Sequence, residues 1–408
     1  MFESVSTTNS EYIFITGLLR HLRSGKTHYH VINHSPADIR DWARTLRKGL
    51  KGQMVAVAVE LKNGPLVSAL LEFDFITIIP VAPNALAKYR ETFCQSGAKD
   101  DPSDAYLIVD FVYRHHEKLS VLEPDTPETR QLQKLVEQRR VLVQERVRVT
   151  NRLQQSVREY YPQVLDWFDD IDTVLFCDFL ERWPSLELAK KARKSILERF
   201  FVNHNCRYKA TIQKRITAIR QSISLTNDTT TIAIFSRYAC VQTILLRNLL
   251  AAIKDYDQQI AASFKAHEDY IIFDSLPGAG PVYGPRLLAA MGSRRNRYQS
   301  SEQVSVLAGI SPVLERSGKS TWIHWRYSCP TFVRQTFVEW AYHSTKYSYW
   351  AQRYYECQKA KGKSHQTILR ALAFKWIRII FRCWSDKTPY DETQYLLALK
   401  QRGSSLLN

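Results

Sequence analysis

The chain lacks the features that would place it in a membrane or a secretory pathway. No apolar run reaches the length of a membrane span, and no signal-peptide pattern opens the sequence. The most apolar late segment, "RALAFKWIRIIFRCW", is broken by Lys375, Arg378 and Arg382. No membrane and a cytoplasmic location are therefore expected. Cysteines are few and dispersed: Cys94, Cys177, Cys206, Cys240, Cys329, Cys357 and Cys383, never in CxxC spacing. An odd, scattered set argues against a zinc site and points to a reducing cytosol, with the thiols filling the core. No clear internal repeat and no low-complexity segment is present.

Acidic residues are also short. Forty Asp and Glu face 57 Lys and Arg, a net charge of +17. An excess of that size implies a polyanionic partner, because each Lys or Arg on a phosphate releases counterions. It favours nucleic acid without separating DNA from RNA. At 408 residues and 45% hydrophobic, the chain is globular and can hold two or three domains.

Residues 1–124 read as α/β. "THYHVI" (Thr27–Ile32) is a short strand. "SPADIRDWARTLRKGL" is an amphipathic helix, capped by Ser35 with Pro36 just inside. "MVAVAVE" (Met54–Glu60) is a buried central strand, "PLVSALLEF" a helix, "ITIIPV" a second buried strand and "PNALAKYRETF" a helix. Alternation of this kind predicts parallel strands with helices on the faces. Residues 125–162 form a long helix, capped by Thr126 and opened by Pro127. Leu135, Leu142 and Val149 recur at seven with Leu132 and Leu153, while Arg139 and Arg146 fill the other seam slots. That pattern is an imperfect coiled coil. Residues 163–265 read as all-helical, and residues 266–402 as a mostly helical C-terminal domain.

Three stretches carry candidate chemistry. In "SGAKDDPSDAYL", Asp100, Asp101 and Asp104 surround Pro102. Locally this is a helix start, with Asp101 as cap and Asp104 completing a capping-box-like pattern. A spacing of three also puts Asp101 and Asp104 on one face of the first turn. Glu60 ends the central strand, where α/β sheets place ligands. Glu60 with the Asp pair is a candidate Mg²⁺ site, since hard oxygen ligands suit phosphoryl transfer. In "FDSLPGAGPVYGPRLLAAMG", Gly278 and Gly280 make a tight turn between apolar helical segments, a helix-hairpin-helix pattern whose backbone N–H groups can approach a phosphate. Arg294, Arg295 and Arg297 follow in "SRRNR", although helical hairpins without any ligand use the same turn. In "LERSGKST", Ser317-Gly318 with Lys319 is a loop between helical blocks. It is either a plain turn or a serine nucleophile held near cations. The Trp and Phe residues of the basic tail helix read as core.

Taken together these segments resemble one family. "VAVELKNGPLVSALLEFDFITIIPVAPNALAKYRETFCQSGAKDDPSDAYLI" is similar to the N-terminal domain of insertion-sequence-110 and 1111 type transposases. "LPGAGPVYGPRLLAAMG", "LAGISPVLERSGKS" and "RQTFVEWA" resemble its C-terminal domain, in the same order. "YYPQVLDWF" and "FCDFLERWPSL" look like its middle region. The resemblance implies a RuvC-like, RNase H-like N-terminal domain with an Asp-Glu-Asp-Asp set binding Mg²⁺. Glu60, Asp101 and Asp104 match the second, third and fourth acids. It implies that Ser317 attacks a DNA phosphate and forms a covalent serine–DNA intermediate. It further implies DNA element ends and target as substrates, a structured guide RNA, and a dimer or tetramer in which the two domains meet across subunits. The implied activity is transposition, or site-specific inversion by a close relative. A resolvase for branched DNA would share the acids without needing Ser317. One departure stands out: the family's first aspartate lies on the first strand, whereas the first aspartate here is Asp38, with only Glu3 and Glu11 before it. The expectation is a truncated or altered first strand, or a carboxylate supplied differently. A chain impaired in catalysis that still binds nucleic acid follows as the alternative.

Overall fold

The protein is described from a computed structural model covering residues 12–15, 18–21, 27–29, 33, 35–51, 53–60, 64–93, 101–404 and 406. It divides into two compact units, residues 1–124 and 125–408.

The first unit contains strands β1 (Tyr12–Ile15), β2 (Leu18–His21) and β3 (Thr27–Tyr29), helix α1 (Pro36–Gly49), β4 (Val55–Val59), α2 (Pro65–Leu70), β5 (Ile76–Pro80), α3 (Pro83–Phe93) and α4 (Asp101–His115). The sheet order is β3-β2-β1-β4-β5. β4 runs parallel to both neighbours, with Tyr12 opposite Val55 and Ile15 opposite Ala58. β1-β2-β3 is an antiparallel meander. The wholly parallel sheet expected from the strand–helix alternation is therefore corrected to a mixed one. Two residues separate β1 from β2, too few for a parallel crossover, so the strands must turn back as a hairpin.

Helix starts follow the sequence closely. Ser35 Oγ accepts from the Asp38 N–H at 3.1 Å, with Pro36 in the first turn. All five β4 residues are buried, and they alternate between two cores. Ala56 and Ala58 pack with Leu86, Val109 and Val112 under α3 and α4. Val55, Val57 and Val59 pack with Ala43, Val67 and Leu70 under α1 and α2. Small side chains on the α4 face let that helix lie close to the sheet, and each fully buried Val or Leu contributes ~2 kcal/mol.

The second unit is helical apart from one hairpin. Its elements are α5 (Pro127–Arg158), α6 (Val174–Arg182), α7 (Leu186–Lys191), α8 (Lys194–Asn203), α9 (Lys209–Gln221), α10 (Thr229–Ala266), α11 (Tyr270–Asp274), α12 (Gly280–Met291), α13 (Ser301–Leu307), β6 (Val313–Ser317), β7 (Ser320–His324), α14 (Thr331–Ser344), α15 (Tyr349–Ala360), α16 (His365–Ser385) and α17 (Glu392–Gln401). α5, 32 residues and ~48 Å long, pairs antiparallel with α10 of the same chain. Thr129 meets His267 at one end and Ser156 meets the Phe235 carbonyl at the other.

The α5–α10 pair bridges two cores. Leu132 and Val136 enter one, built mainly from α11–α16. Val149, Leu153 and Val157 enter the other, built from α6–α9. Between them Arg139 is bonded to Asp257 of α10, and Arg146 to Asp172 ahead of α6 at 3.4 Å. The Trp residues of the tail helix, Trp376 and Trp384, are core, as expected. Trp340, Trp350, Trp376 and Trp384 are fully buried, and the Trp376 ring lies 4.7 Å from Trp340 and 4.6 Å from Trp350. Of the six described cysteines all are free; Cys177 and Cys383 are buried, and the other four are half-buried rather than true core fillers. No helix of the described residues is long and apolar enough to cross a membrane.

Candidate active site

Glu60 is the first residue after β4, and its side chain is exposed. Extending the strand alternation by one step gives it the face of Ala56 and Ala58, which α4 covers. Gly64, at φ 138°, then turns the chain into α2 behind Pro65. Asp104 lies one turn into α4 and is half-buried. Ala105 and Ile108 of α4 pack on the β4 alanines, so packing brings Asp104 to the sheet face that Glu60 shares. Asp101 is the first residue of α4; its side chain and all of Asp100 lie outside the described residues.

The acids have neighbours that spacing did not announce. Arg90 of α3 pairs with Asp104 at 2.6 Å. Two turns along, buried Asp110 accepts from Tyr89 Oη at 2.7 Å and Arg114 Nε at 2.8 Å. Burial, then the hydrogen bond to Asp110, pushes Tyr89 up to about 12. These contacts fasten α3 to α4 and fix the rotation of the helix that carries Asp104. Arg90–Asp104 and Tyr89–Asp110 join two different helices, and no local pattern encodes them, whereas Arg114–Asp110 is an i,i+4 pair within α4. Among the described residues no group of three His, Cys, Asp or Glu side chains is placed to hold a metal ion. Glu60 and Asp104 supply oxygen donors of the type Mg²⁺ takes, and Arg90 balances the second of them.

β1 occupies the sheet position beside β4, and its residues, Tyr-Ile-Phe-Ile, include no acid. Glu11 lies outside the described residues.

Ser317 sits in a β-hairpin. The expected loop between helical blocks is thus corrected: β6 and β7 pair antiparallel, with Ser317 opposite Ser320 and Gly318-Lys319 as the turn. Gly318 has φ 57°, and a positive φ at the first of two turn positions is the type II′ requirement. Residues 314–324 are all exposed. The pairing puts Ser317, Ser320, Glu315 and Trp322 on one face, and Glu315 meets His324 at 3.2 Å. Lys319 is exposed at the tip.

The glycine turn is where the sequence put it, but its two glycines differ. Gly278 lies in the turn between α11 and α12 at φ 70°, and a Cβ there would meet Tyr347 Cδ2 at 2.7 Å and His343 Nδ1 at 3.0 Å. His343 Nδ1 is 2.8 Å from the Gly278 carbonyl, and Trp340 Nε1 donates to the Pro277 carbonyl at 3.2 Å. The turn is therefore pinned to α14. Gly280 begins α12 at φ 48° with open space around its Cα.

The arginines after α12 turn inward. Arg295 pairs with buried Asp269, one N–O distance being 2.9 Å, and lies over the Trp384 ring. Arg297 pairs with Asp125 at 2.9 Å, and Asp125 also accepts from the Ser293 N–H. A buried carboxylate needs a cation, so these two charges hold the fold together. Arg294 is half-buried and reaches Asn296.

An acid-bearing α/β unit, followed by a helical unit that exposes a serine on a hairpin in a strongly basic chain, defines the class of a nucleic-acid-processing protein. Two family models agree. Residues 22–162 match the IS110-type DEDD transposase model, and residues 271–356 match the model described as "Transposase IS116/IS110/IS902 family". The chain belongs to the IS110/IS116/IS902 transposase family. It is 25% identical over 357 residues to the mini-circle putative transposase for IS117 of Streptomyces coelicolor, covering 86% of each chain. It is 26% identical to the putative transposase y4uE of Sinorhizobium fredii, covering 42% of this chain and 47% of that one. The IS110 uncharacterized 43.6 kDa protein of Streptomyces coelicolor is 26% identical over 72% of each.

Proposed function

We propose that this chain is a DNA transposase that cuts and joins strands with Ser317 as nucleophile. The observation carrying this reading is the presentation of Ser317 at the exposed tip of a hairpin inside the matched C-terminal segment. Its Oγ would attack phosphorus, an Oγ–P bond forming as the P–O bond to a deoxyribose oxygen breaks. The hydroxyl proton passes to a base and the leaving oxygen takes one up. Glu60, Asp101 and Asp104, all within the matched N-terminal segment, would hold Mg²⁺. The ion would stabilise charge on the phosphate oxygens. Arg90 holds Asp104 in place. The hairpin-linked helices α11 and α12, a structured guide RNA and an oligomer that unites the two units complete the proposal. Residues 1–124, 125–162, 163–265 and 266–402 serve as acid-bearing, long-helix, helical and serine-bearing segments.

Ser317→Ala tests it. Strand cleavage on an element-end duplex should be lost with DNA affinity unchanged; full cleavage by the variant would refute the serine mechanism. The second reading, a chain that binds nucleic acid with impaired catalysis, draws on the acid-free β1 beside β4. Strand transfer by the chain as it stands would rule that reading out.

A further inference from the structure

The Ser317 hairpin stands on a layer of arginines and aromatic rings. Trp325 directly follows β7. Over its indole lie Arg370 of α16, 3.5 Å from the ring centroid, and Arg334 of α14, at 5.2 Å. Arg326 Nε donates to the Ser311 carbonyl at 3.2 Å, tying the strand leaving the hairpin to the segment entering it. Arg334 donates to the carbonyls of Arg326 and Tyr327, and Arg370 to that of Gln366.

What sets this group apart is the missing counter-charge. Several other arginines of this unit meet carboxylates: Arg295 with Asp269, Arg297 with Asp125, Arg286 with Glu339. Among the described residues, Arg326, Arg334 and Arg370 meet only neutral oxygen, sulfur and ring acceptors. Burial, then the charge of Arg334, pulls Arg370 below its ordinary pKa. The positive charge here is crowded and uncompensated. Guanidinium forks backed by an aromatic ring are well suited to a phosphate, which they can grip in bidentate fashion.

We propose that Arg334 and Arg370 on Trp325, with Arg326, form a docking site for a backbone phosphate of the DNA strand presented to Ser317. The link to Ser317 rests on the reading of that serine as the nucleophile. β7 rises ~17 Å between Trp325 and Ser320, the partner of Ser317. That is about five nucleotides of duplex rise. A strand lying along the hairpin would thus be held at its base and reach the serine at its tip.

The test is DNA binding by the full chain, followed by anisotropy of a fluorescein-labelled duplex across a salt series. Arg334→Gln with Arg370→Gln should weaken binding roughly tenfold or more, and lower the slope of log K against log salt by about one, as one phosphate contact vanishes. Gln366→Glu, on an exposed first-turn position of α16, brings a carboxylate near the site without touching the core. It should weaken binding several-fold, whereas Gln221→Glu, the same change on exposed α9, should not. The proposal is overturned by an unchanged slope in the double variant, by equal effects of the two Glu variants, or by losses confined to a single-stranded RNA probe. Each titration is repeated in the Ser317→Ala background. A serine variant that still cleaves would sink the nucleophile reading and leave the phosphate site standing on its own binding data.

Discussion

His267 shows how one buried ring can make the second unit sensitive to acid. Its Nδ1 accepts from the Asp269 N–H at 3.0 Å, so the proton sits on Nε2 and is donated to Thr129 Oγ1 at 2.8 Å. Burial pulls the ring below its ordinary pKa against the opposing fields of Asp269 and Glu268. The unfolded chain binds a proton near pH ~6.5 and the folded chain does not, so stability falls as pH drops below that value. Denaturant titrations between neutral pH and about pH 5 should show this loss, and His267→Gln should remove the share due to this ring. Gly278 and Gly280 give a second contrast at this scale. Gly278→Ala needs a positive φ and drives a methyl into Tyr347 and His343, whereas Gly280→Ala has only the φ to bear. The expected losses are about 2–3 kcal/mol and ~1 kcal/mol, read from melting curves. The sequence made both glycines look alike. Only the packing of α14 behind the turn separates them.

Among elements, legibility tracked how local the determining physics was. Helix starts written as cap plus proline, Ser35-Pro36 and Thr126-Pro127, appear where sequence put them because the cap acts within one turn. The five-residue runs of β4 and β5 were legible because both faces are buried. The β6–β7 hairpin was not: its strands are short, exposed and rich in residues that also make loops. The partner of α5 was equally hidden. A heptad pattern shows that a seam exists and leaves open which helix fills it, and here α10 answers Arg139 with Asp257. The same limit governs the missing acid. β1 was invisible as a sheet member, yet its register places Ile15 opposite Ala58, two residues before Glu60. If catalysis is impaired for want of a fourth carboxylate, Ile15→Asp is the substitution that register selects. It should raise Mg²⁺-dependent cleavage above the parent chain, and EDTA should abolish the gain. No gain in a folded variant would count against the impaired-chain reading.

For the whole molecule, net charge is the property that sequence states most plainly and structure most needs to apportion. Part of the basic complement is tied up in ion pairs, since Arg295, Arg297 and Arg90 each neutralise a carboxylate that packing has desolvated. Such pairs leave net charge unchanged and remove those arginines from the surface available to a phosphate backbone. Affinity for DNA should therefore depend on the cations without acidic partners, including Lys319 and the arginines beneath the hairpin. With about six phosphates engaged, association should fall roughly 10³-fold between 50 and 200 mM salt. Removing Arg295 by Arg295→Gln should leave that slope unchanged while lowering stability by about 3 kcal/mol, because it strands Asp269. Removing an unpaired arginine should do the reverse. If Arg295→Gln flattens the salt dependence in a folded protein, its charge reaches DNA despite Asp269, and the division of the basic residues into internal and external sets fails.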